Sequence, residues 1–206
     1  VTLPAMRRCL VVTTALACLV GLPLVCFGGW EMVLVGAACV LFCFLYTTLL
    51  AQHGMGDVLV LLFFGLVPVC LTYYVTMPPA SQTITAQVVW ASLACGLVID
   101  TLLVVNNYRD YDQDRAVGKK TLIVRIGRER AEQLYGWLGN IATYMMWGCL
   151  VLGDSSFVLM LVCFACFVPY ALLHGATRVQ MRRIGRGREL NKVLGVTTAI
   201  VTLFIL

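Results

Sequence analysis

The stretch AQVVWASLACGLVIDTLLVVNN (residues 86–107) runs directly into YRDYDQDRAVGKKTLIVRIG (residues 108–127). The first part carries a single charge and is long enough to cross a bilayer, because a spanning helix needs about 20 residues. The second part holds three aspartates and five Lys or Arg residues. This sequence predicts a membrane helix that ends in a polar site.

The composition of the whole chain is that of a membrane protein. Hydrophobic residues make up 61% and charged residues 12%, whereas soluble domains carry about 25% charged residues. The mean hydropathy of +0.91 also excludes an ordinary soluble domain. Because no basic motif is interleaved with aromatic residues, the net charge of +5 indicates contact with anionic lipid headgroups. We therefore predict the lipid bilayer as a partner and no nucleic acid.

Seven apolar segments predict an all-α, multi-pass transmembrane helical bundle of about seven helices. We expect one membrane-embedded domain over residues 1–206. The chain begins at Val1 instead of Met, and its last segment has only 14 residues. We therefore expect the domain to be incomplete at its N-terminus and cut at its C-terminus. The segments are residues 9–28, 30–48, 57–76, 86–107, 133–153, 155–174 and 193–206.

The Lys and Arg residues predict the orientation of this bundle. All 15 lie within residues 7–8, 109–130 and 178–192, and seven crossings place these three regions on one face. Basic loops remain inside, so we expect a protein of the cell (inner) membrane whose basic face is cytoplasmic. The polar turn YTTLLAQHGMGD (residues 46–57) shares that face.

The charged stretch contains three oxygen-bearing side chains with helical spacing. Asn106, Asp110 and Asp114 are four residues apart, and each step of four turns about 40° around a helix. If the helix continues beyond the membrane surface, the three share one face, while Asp112 lies about 200° from Asp110. The spacing therefore selects Asn106, Asp110 and Asp114 as one site.

Paired carboxylates one turn apart suit Mg²⁺, which is usually held by one or two carboxylates together with substrate phosphates. Arg109, Lys119 and Lys120 could contact phosphate oxygens, and Gly118 is expected to end the helix. A juxtamembrane loop in which acids and bases merely pair explains the two aspartates equally well. The preceding Asn106 and the following Gly-Lys-Lys-Thr favour a binding site.

The stretch NNYRDYDQDRAVGKKTLIVRIG (residues 106–127) resembles the second aspartate-rich motif of the UbiA superfamily of membrane prenyltransferases. The sequence of this motif is similar to that of the branch that prenylates 1,4-dihydroxy-2-naphthoate in menaquinone synthesis. HGMGDVLVLLFFGLVPVCLTYYV (residues 53–75) and ELNKVLGVTTA (residues 189–199) resemble the same branch. The resemblance covers nearly the whole chain.

The resemblance implies nine helices, a cytoplasmic N-terminus and two aspartate-rich motifs on the cytoplasmic side. The seven segments correspond to the last seven helices. The first motif and its two helices are missing from this sequence, so we expect the 206-residue chain alone to be inactive. The loop before His53 is also shorter than in that branch.

The activity implied is Mg²⁺-dependent transfer of a polyprenyl group from its diphosphate to 1,4-dihydroxy-2-naphthoate. The ring loses its carboxylate as carbon dioxide and gives demethylmenaquinone. The resemblance assigns Asp110 and Asp114, with Asn106, to metal binding, and Arg109 and Lys119 to diphosphate in catalysis. The further substrate-binding candidates are Asn107, Lys120, Tyr46, His53 and Asp57.

Three alternatives are open. A UbiA-type enzyme could use homogentisate, 4-hydroxybenzoate, haem or a chlorophyllide as acceptor. A secondary transporter also has intramembrane acids, but its site usually lies near the midplane on broken helices. A CDP-alcohol phosphotransferase has DG and AR before its paired aspartates, and neither precedes Asp110. Asp100, an acid within an apolar segment, is a functional candidate by default, although a hydrogen-bonded structural acid explains it equally well.

Overall fold

The computed structural model describes residues 2–45, 54–153 and 156–205. Within these ranges all regular secondary structure is helical, which confirms the all-α bundle. Within these ranges, the described part of each of the seven apolar segments coincides with a helix or with a helix broken by a tighter or wider turn. The helices are α1 Leu3–Gly21, α2 Val25–Gly28, α3 Glu31–Leu45, α4 Gly56–Val60, α5 Val67–Thr76, α6 Ala86–Arg109, α7 Tyr111–Ala116, α8 Leu122–Ile126, α9 Arg128–Leu152, α10 Phe157–Ile184 and α11 Leu190–Ile205.

Four of the described helical spans are long and apolar enough to cross a membrane: Leu3–Gly28, Gly56–Thr76, Ala86–Arg109 and Phe157–Ile184. α3 and α11 are apolar but shorter. α9 is long, but its first turn carries charged residues. The described parts of the seven predicted segments are therefore helical, and the length and composition of four of them meet the requirement for a span.

Short polar side chains and prolines set several helix boundaries. The hydroxyl groups of Thr85, Thr121 and Ser156 accept hydrogen bonds from the first turns of α6, α8 and α10, as N-cap residues do. A 3₁₀ turn that contains Pro23 separates α1 from α2. Gly118, whose φ is +74°, follows α7, in agreement with its predicted role as a helix terminator.

The helices meet at two distinct ends of the bundle. At one end, Gln82 donates to the carbonyl of Phe27 at 2.7 Å, and Gln87 donates to that of Leu152 at 3.1 Å. The opposite end brings together the end of α6, the start of α9, the end of α10 and the start of α11. The polar and basic stretch after α6 lies at this second end, which is called the basic end below.

α6 is the central helix, and it packs against α9, α11 and the π-helical turn Leu61–Leu66 between α4 and α5. The contact with the π turn depends on small residues. A Cβ on Gly65 would lie 2.6 Å from the carbonyl oxygen of Ser92 and 2.7 Å from the Cα of Gly96. Glycines let membrane helices approach this closely. The packing places α4 beside the C-terminal half of α6.

Candidate active site

The three side chains with helical spacing lie at the junction of α6 and α7. Asp110 leaves ideal helical geometry, with φ −88° and ψ 4°. The hydrogen-bond ladder nevertheless continues, because the amide of Asp110 donates to the carbonyl of Asn106 at 3.1 Å and the amide of Asp114 donates to that of Asp110 at 2.8 Å. The junction therefore preserves the four-residue spacing across a slight break.

The guanidinium group of Arg109 joins the first two of these side chains. Its Nη2 donates to Oδ1 of Asn106 at 2.8 Å and to Oδ2 of Asp110 at 2.9 Å, while its Nε donates to Oδ1 of Asp110 at 2.7 Å. Its Nη1 also donates to Oδ1 of Asn191 at 3.1 Å. An amide oxygen and a carboxylate oxygen thus converge on one positively charged nitrogen.

The charge of Asp110 is stabilised by this arrangement. The hydrogen bond from Arg109 is the main cause of a lowered pKa of Asp110, and the charges of Arg109 and Lys119 act in the same direction. Hydrogen bonding to the charged form of a carboxyl group favours that form. Asp110 is therefore an anion throughout the neutral pH range.

Asp114 lies one turn further along and is buried, with 8% of its surface exposed. The ammonium group of Lys119 reaches its two carboxylate oxygens at 3.3 and 3.4 Å. The amide of Lys119 also donates to the carbonyl of Asp114 at 2.9 Å, which closes the end of α7. The turn at Gly118 therefore returns a cation onto the buried acid.

Asp112 points away from this site. Its Oδ2 accepts from Nη2 of Arg128 at 3.0 Å, and its side chain is 59% exposed. The guanidinium of Arg128 lies 4.9 and 4.8 Å from the ring centroids of Tyr108 and Tyr111. It also donates to the carbonyls of Tyr108 and Gly185, so it links the α6–α7 junction to the end of α10.

A small pocket lies beside the junction, between the start of α4, the face of α6 and the start of α8. Two glycines permit it: a Cβ on Gly54, whose φ is +69°, would lie 2.5 Å from the carbonyl oxygen of Lys120, and one on Gly56 would lie 3.3 Å from Leu103. Three predicted site residues are among its lining residues, which are Gly54, Gly56, Asp57, Leu103, Asn107, Lys119, Thr121 and Leu122.

The other predicted residues have different positions. The side chain of Lys120 is exposed, and its backbone carbonyl packs against Gly54. Tyr46 and His53 lie outside the described residues. Asn107 is buried and lines the pocket, whereas its neighbour Asn106 contacts Arg109. The two adjacent asparagines therefore serve different parts of the site.

The donor set at the junction fits a hard cation. Among the described residues, no group of three His, Cys, Asp or Glu side chains could hold a metal ion. The junction offers two carboxylates and one amide oxygen, and two of these oxygens already converge on a cationic nitrogen. One or two carboxylates with phosphate oxygens completing the shell is the usual arrangement for Mg²⁺. The residues present therefore fit Mg²⁺ bound together with a phosphorylated ligand.

The profile of the UbiA prenyltransferase family matches residues 2–193. The chain belongs to this family. The UbiA profile covers α1 to the start of α11, so both the junction and the pocket fall within it.

Curated relatives agree with this UbiA membership. The chain is 31% identical over 181 residues to the 1,4-dihydroxy-2-naphthoate octaprenyltransferase of Escherichia coli (strain K12), a match over 84% of this chain and 52% of the relative. It is 35% identical over 189 residues to the enzyme of the same name from Mycobacterium tuberculosis (strain ATCC 25618 / H37Rv), over 87% of this chain and 59% of the relative. The chain thus spans somewhat more than half the length of these relatives. No solved structure matches it significantly.

Three residues of this UbiA-family site were not predicted. Asn191 binds Arg109 across 82 positions of sequence, Arg128 links the junction to α10, and Thr121 caps α8 beside the pocket. Thr121 has a recognisable signal, because a Thr before an apolar run is typical of an N-cap. Asn191 and Arg128 act through tertiary contacts, so no local pattern indicates them.

Proposed function

We propose that this protein transfers a polyprenyl group from polyprenyl diphosphate to 1,4-dihydroxy-2-naphthoate, with loss of carbon dioxide and formation of demethylmenaquinone. Support comes from the family membership and from two relatives named 1,4-dihydroxy-2-naphthoate octaprenyltransferase, which are 31% and 35% identical to this chain over the matched residues. The distribution of Lys and Arg supports an inner-membrane protein whose site faces the cytoplasm.

The observation that carries this proposal is the convergence of Oδ1 of Asn106 and Oδ2 of Asp110 on one cationic nitrogen of Arg109. Asp114 follows one turn later. We propose that these three side chains hold Mg²⁺ and, through it, the diphosphate. When bound, Mg²⁺ supplies a Lewis acid that stabilises negative charge on the departing diphosphate.

Arg109 and Lys119 take a second role in this proposal. Each is ion-paired with a carboxylate of the junction, and each can turn towards phosphate oxygens when a cation occupies the space between those carboxylates. A guanidinium group binds phosphate through two parallel hydrogen bonds. Fixed positive charges aimed at the leaving group lower the barrier to breaking the C–O bond.

The acceptor lies, in this proposal, at the mouth of the adjacent pocket. Lys119 lines both the junction and the pocket, so it lies between the leaving group and the ring. Asn107 and Asp57 offer an amide and a carboxylate to the acceptor. Tyr46, His53 and Lys120 remain predicted substrate contacts. Once the allylic C–O bond breaks, the ring carbon that bears the carboxylate attacks the allylic cation.

The test uses membranes that contain the protein, supplied with a polyprenyl diphosphate, Mg²⁺ and 1,4-dihydroxy-2-naphthoate. We expect demethylmenaquinone and carbon dioxide in equal amounts, measured by mass spectrometry and by release from a carboxyl-labelled acceptor. Faster transfer to 4-hydroxybenzoate or homogentisate would reject the acceptor but retain the prenyltransferase. Absence of prenyl transfer to all three would reject the proposed function.

A further inference from the structure

Arg109 has one contact that the proposed metal site does not explain. Its Nε and Nη2 donate to Asp110 and Asn106, the two side chains that begin that site. Its Nη1 instead donates to Oδ1 of Asn191 at 3.1 Å. Asn191 lies in the first turn of α11, a separate helix. The guanidinium group is therefore held from two directions, by the junction and by α11.

Buried neighbours determine where Asn191 lies. Leu190 and Val193 are fully buried and belong to one apolar cluster with Val105 of α6, whereas Asn191 itself is exposed. Residues three apart on a helix share a face, so Leu190 and Val193 hold one face of α11 against α6. The place of Asn191 beside Arg109 thus follows from core packing as well as from its own hydrogen bond.

A second guanidinium group fixes the turn that leads into α11. Arg128 donates to the carbonyl oxygen of Tyr108 at 3.2 Å and also to that of Gly185. Tyr108 lies in the last turn of α6, and Gly185 directly follows α10. The turn between α10 and α11 is therefore tied to the end of α6, the helix that also carries Arg109.

The shape of the guanidinium group makes the contact with Asn191 directional. The group is planar and presents its donors in a rigid fork. Nε and Nη2 form one edge of the fork, and this edge lies on the carboxylate of Asp110 at 2.7 and 2.9 Å. A phosphate group accepts two parallel hydrogen bonds from such an edge. Because the three nitrogens cannot move relative to one another, an acceptor at Nη1 helps to set the direction of the phosphate-binding edge.

Asn191 is also the contact that a bound donor substrate would leave in place. In the proposed site, the oxygens of Asp110 and Asn106 turn to Mg²⁺ and are withdrawn from Arg109. A free arginine side chain regains much rotamer entropy, which a phosphate contact would then have to overcome. The amide of Asn191 limits this freedom. Because the amide is neutral, it leaves the positive charge of Arg109 available to phosphate.

We propose that Asn191 is a positioning residue, which holds Nη1 of Arg109 and so keeps the Nε–Nη2 edge directed at the diphosphate of the prenyl donor. This inference rests on the proposed function and deepens it, because it assigns a residue of α11 to the diphosphate site. Asn191 acts through Arg109 and does not itself contact the reacting atoms.

The test measures equilibrium binding of two ligands to the membrane-embedded protein in the presence of Mg²⁺. One is an unreactive prenyl diphosphate analogue, and the other is the prenyl alcohol of the same length, which lacks the diphosphate. Asn191→Leu keeps the approximate size of the side chain and removes the acceptor. We expect it to weaken binding of the analogue about tenfold, as loss of a hydrogen bond to a charged group does. Binding of the alcohol should be unchanged, which also shows that the variant folds.

The same measurement in an Arg109→Gln background tests whether Asn191 acts through Arg109. Both changes remove the same interaction, so Asn191→Leu should weaken analogue binding no further in a protein that already carries Arg109→Gln. Asn191→Gln, in the otherwise unchanged protein, retains an amide oxygen and should recover part of the loss. The matched control is Gln180→Leu, which also replaces an exposed amide, on α10. It should bind the analogue as the unchanged protein does.

Full analogue binding by Asn191→Leu would overturn the inference. So would an equal further loss in the Arg109→Gln background, since Asn191 would then act independently of Arg109. Equal weakening of analogue and alcohol would also overturn it, because that result indicates a structural role. Failure of the proposed function has a different signature: the unchanged protein would bind the analogue no more tightly than the alcohol, and the inference would fail with it.

Discussion

Two sets of acids, Asp110 with Asp114 at the junction and Asp57 with Asp100 on α4 and α6, differ in what contacts them. Asp110 and Asp114 each contact a cation, at 2.7 Å from Arg109 and 3.3 Å from Lys119. Asp57 on α4 and Asp100 on α6 each have a buried carboxyl oxygen with no hydrogen-bond partner among the described residues. An acid held beside a base keeps its charge and can exchange that base for a metal ion. An acid whose buried oxygen has no such partner is suited to accept a hydrogen bond from a ligand.

The largest effect should come from removing the junction acids. Asp110→Ala and Asp114→Ala each delete a carboxylate from a donor set of three. We expect prenyl transfer to fall about 100- to 1,000-fold in each variant, because electrostatic groups at a departing charge contribute about 10²–10³-fold each. Turnover by the purified variants in bilayers measures this. Membrane insertion should be normal. Activity within tenfold of the unchanged protein would contradict the proposal that the junction acids take part in prenyl transfer.

Gly54→Ala tests whether the pocket binds the acceptor and not the polyprenyl diphosphate. A Cβ there would lie 2.5 Å from the carbonyl oxygen of Lys120, so the pocket must deform at this edge. We expect the KM for the acceptor to rise about 10-fold and the KM for polyprenyl diphosphate to stay constant. Gly187→Ala is the matched control, since Gly187 also has a positive φ, +95°, but nothing within 4 Å of an added Cβ. A rise in the diphosphate KM alone would contradict the assignment of the pocket.

The pH dependence of diphosphate binding tests the charge state of Asp110. Arg109 lowers the pKa of Asp110 below the ordinary value of about 3.9. Its contribution to stability is therefore complete above that ordinary value and is lost only as pH falls through the lowered pKa in the folded protein. Binding of an unreactive prenyl diphosphate analogue should not weaken between pH 7 and pH 5 because of Asp110. In Arg109→Gln, the loss of binding at low pH should begin at a higher pH than in the unchanged protein. If it begins at the same pH, the ion pair between Arg109 and Asp110 does not control the charge of Asp110.

Asp112→Ala should have the smallest effect. Asp112 forms an ion pair with Arg128 at 3.0 Å, and its side chain is 59% exposed. Such pairs contribute about 0–1 kcal/mol to stability. We expect turnover within about twofold of the unchanged protein and a slight fall in thermal stability. Thermal stability is measured as the activity that remains after heating. A loss of activity equal to that in Asp110→Ala would mean that helical spacing does not separate these aspartates.

The junction could be read from the sequence because its geometry is local. A ladder of hydrogen bonds four residues apart positions Asn106, Asp110 and Asp114, and that ladder depends only on a helix continuing. The pocket could not be read in this way. Gly54 meets Lys120 and Gly56 meets Leu103, while the π turn that follows α4 packs against α6 through Gly65 and Gly96. No local pattern encodes such contacts.

The role of Asp100 shows the same limit. Its position in an apolar segment marked it as unusual, but its distance along α6 from the charged motif gave it no partner. The fold packs α6 against a different helix, α4, and no local pattern of the sequence indicates that contact. Arg128 is a comparable case, because its contacts with Tyr108 and Gly185 join helices far apart in the chain.

The most direct test of the central claim is equilibrium binding of an unreactive prenyl diphosphate analogue with and without Mg²⁺. The variants to compare are Asp110→Ala and Asp112→Ala in the membrane-embedded protein. Mg²⁺ should strengthen binding at least about tenfold in the unchanged protein and in Asp112→Ala, and it should have no effect in Asp110→Ala. Equal Mg²⁺ dependence in the two variants would contradict the assignment of the diphosphate site to the Asn106, Asp110 and Asp114 face.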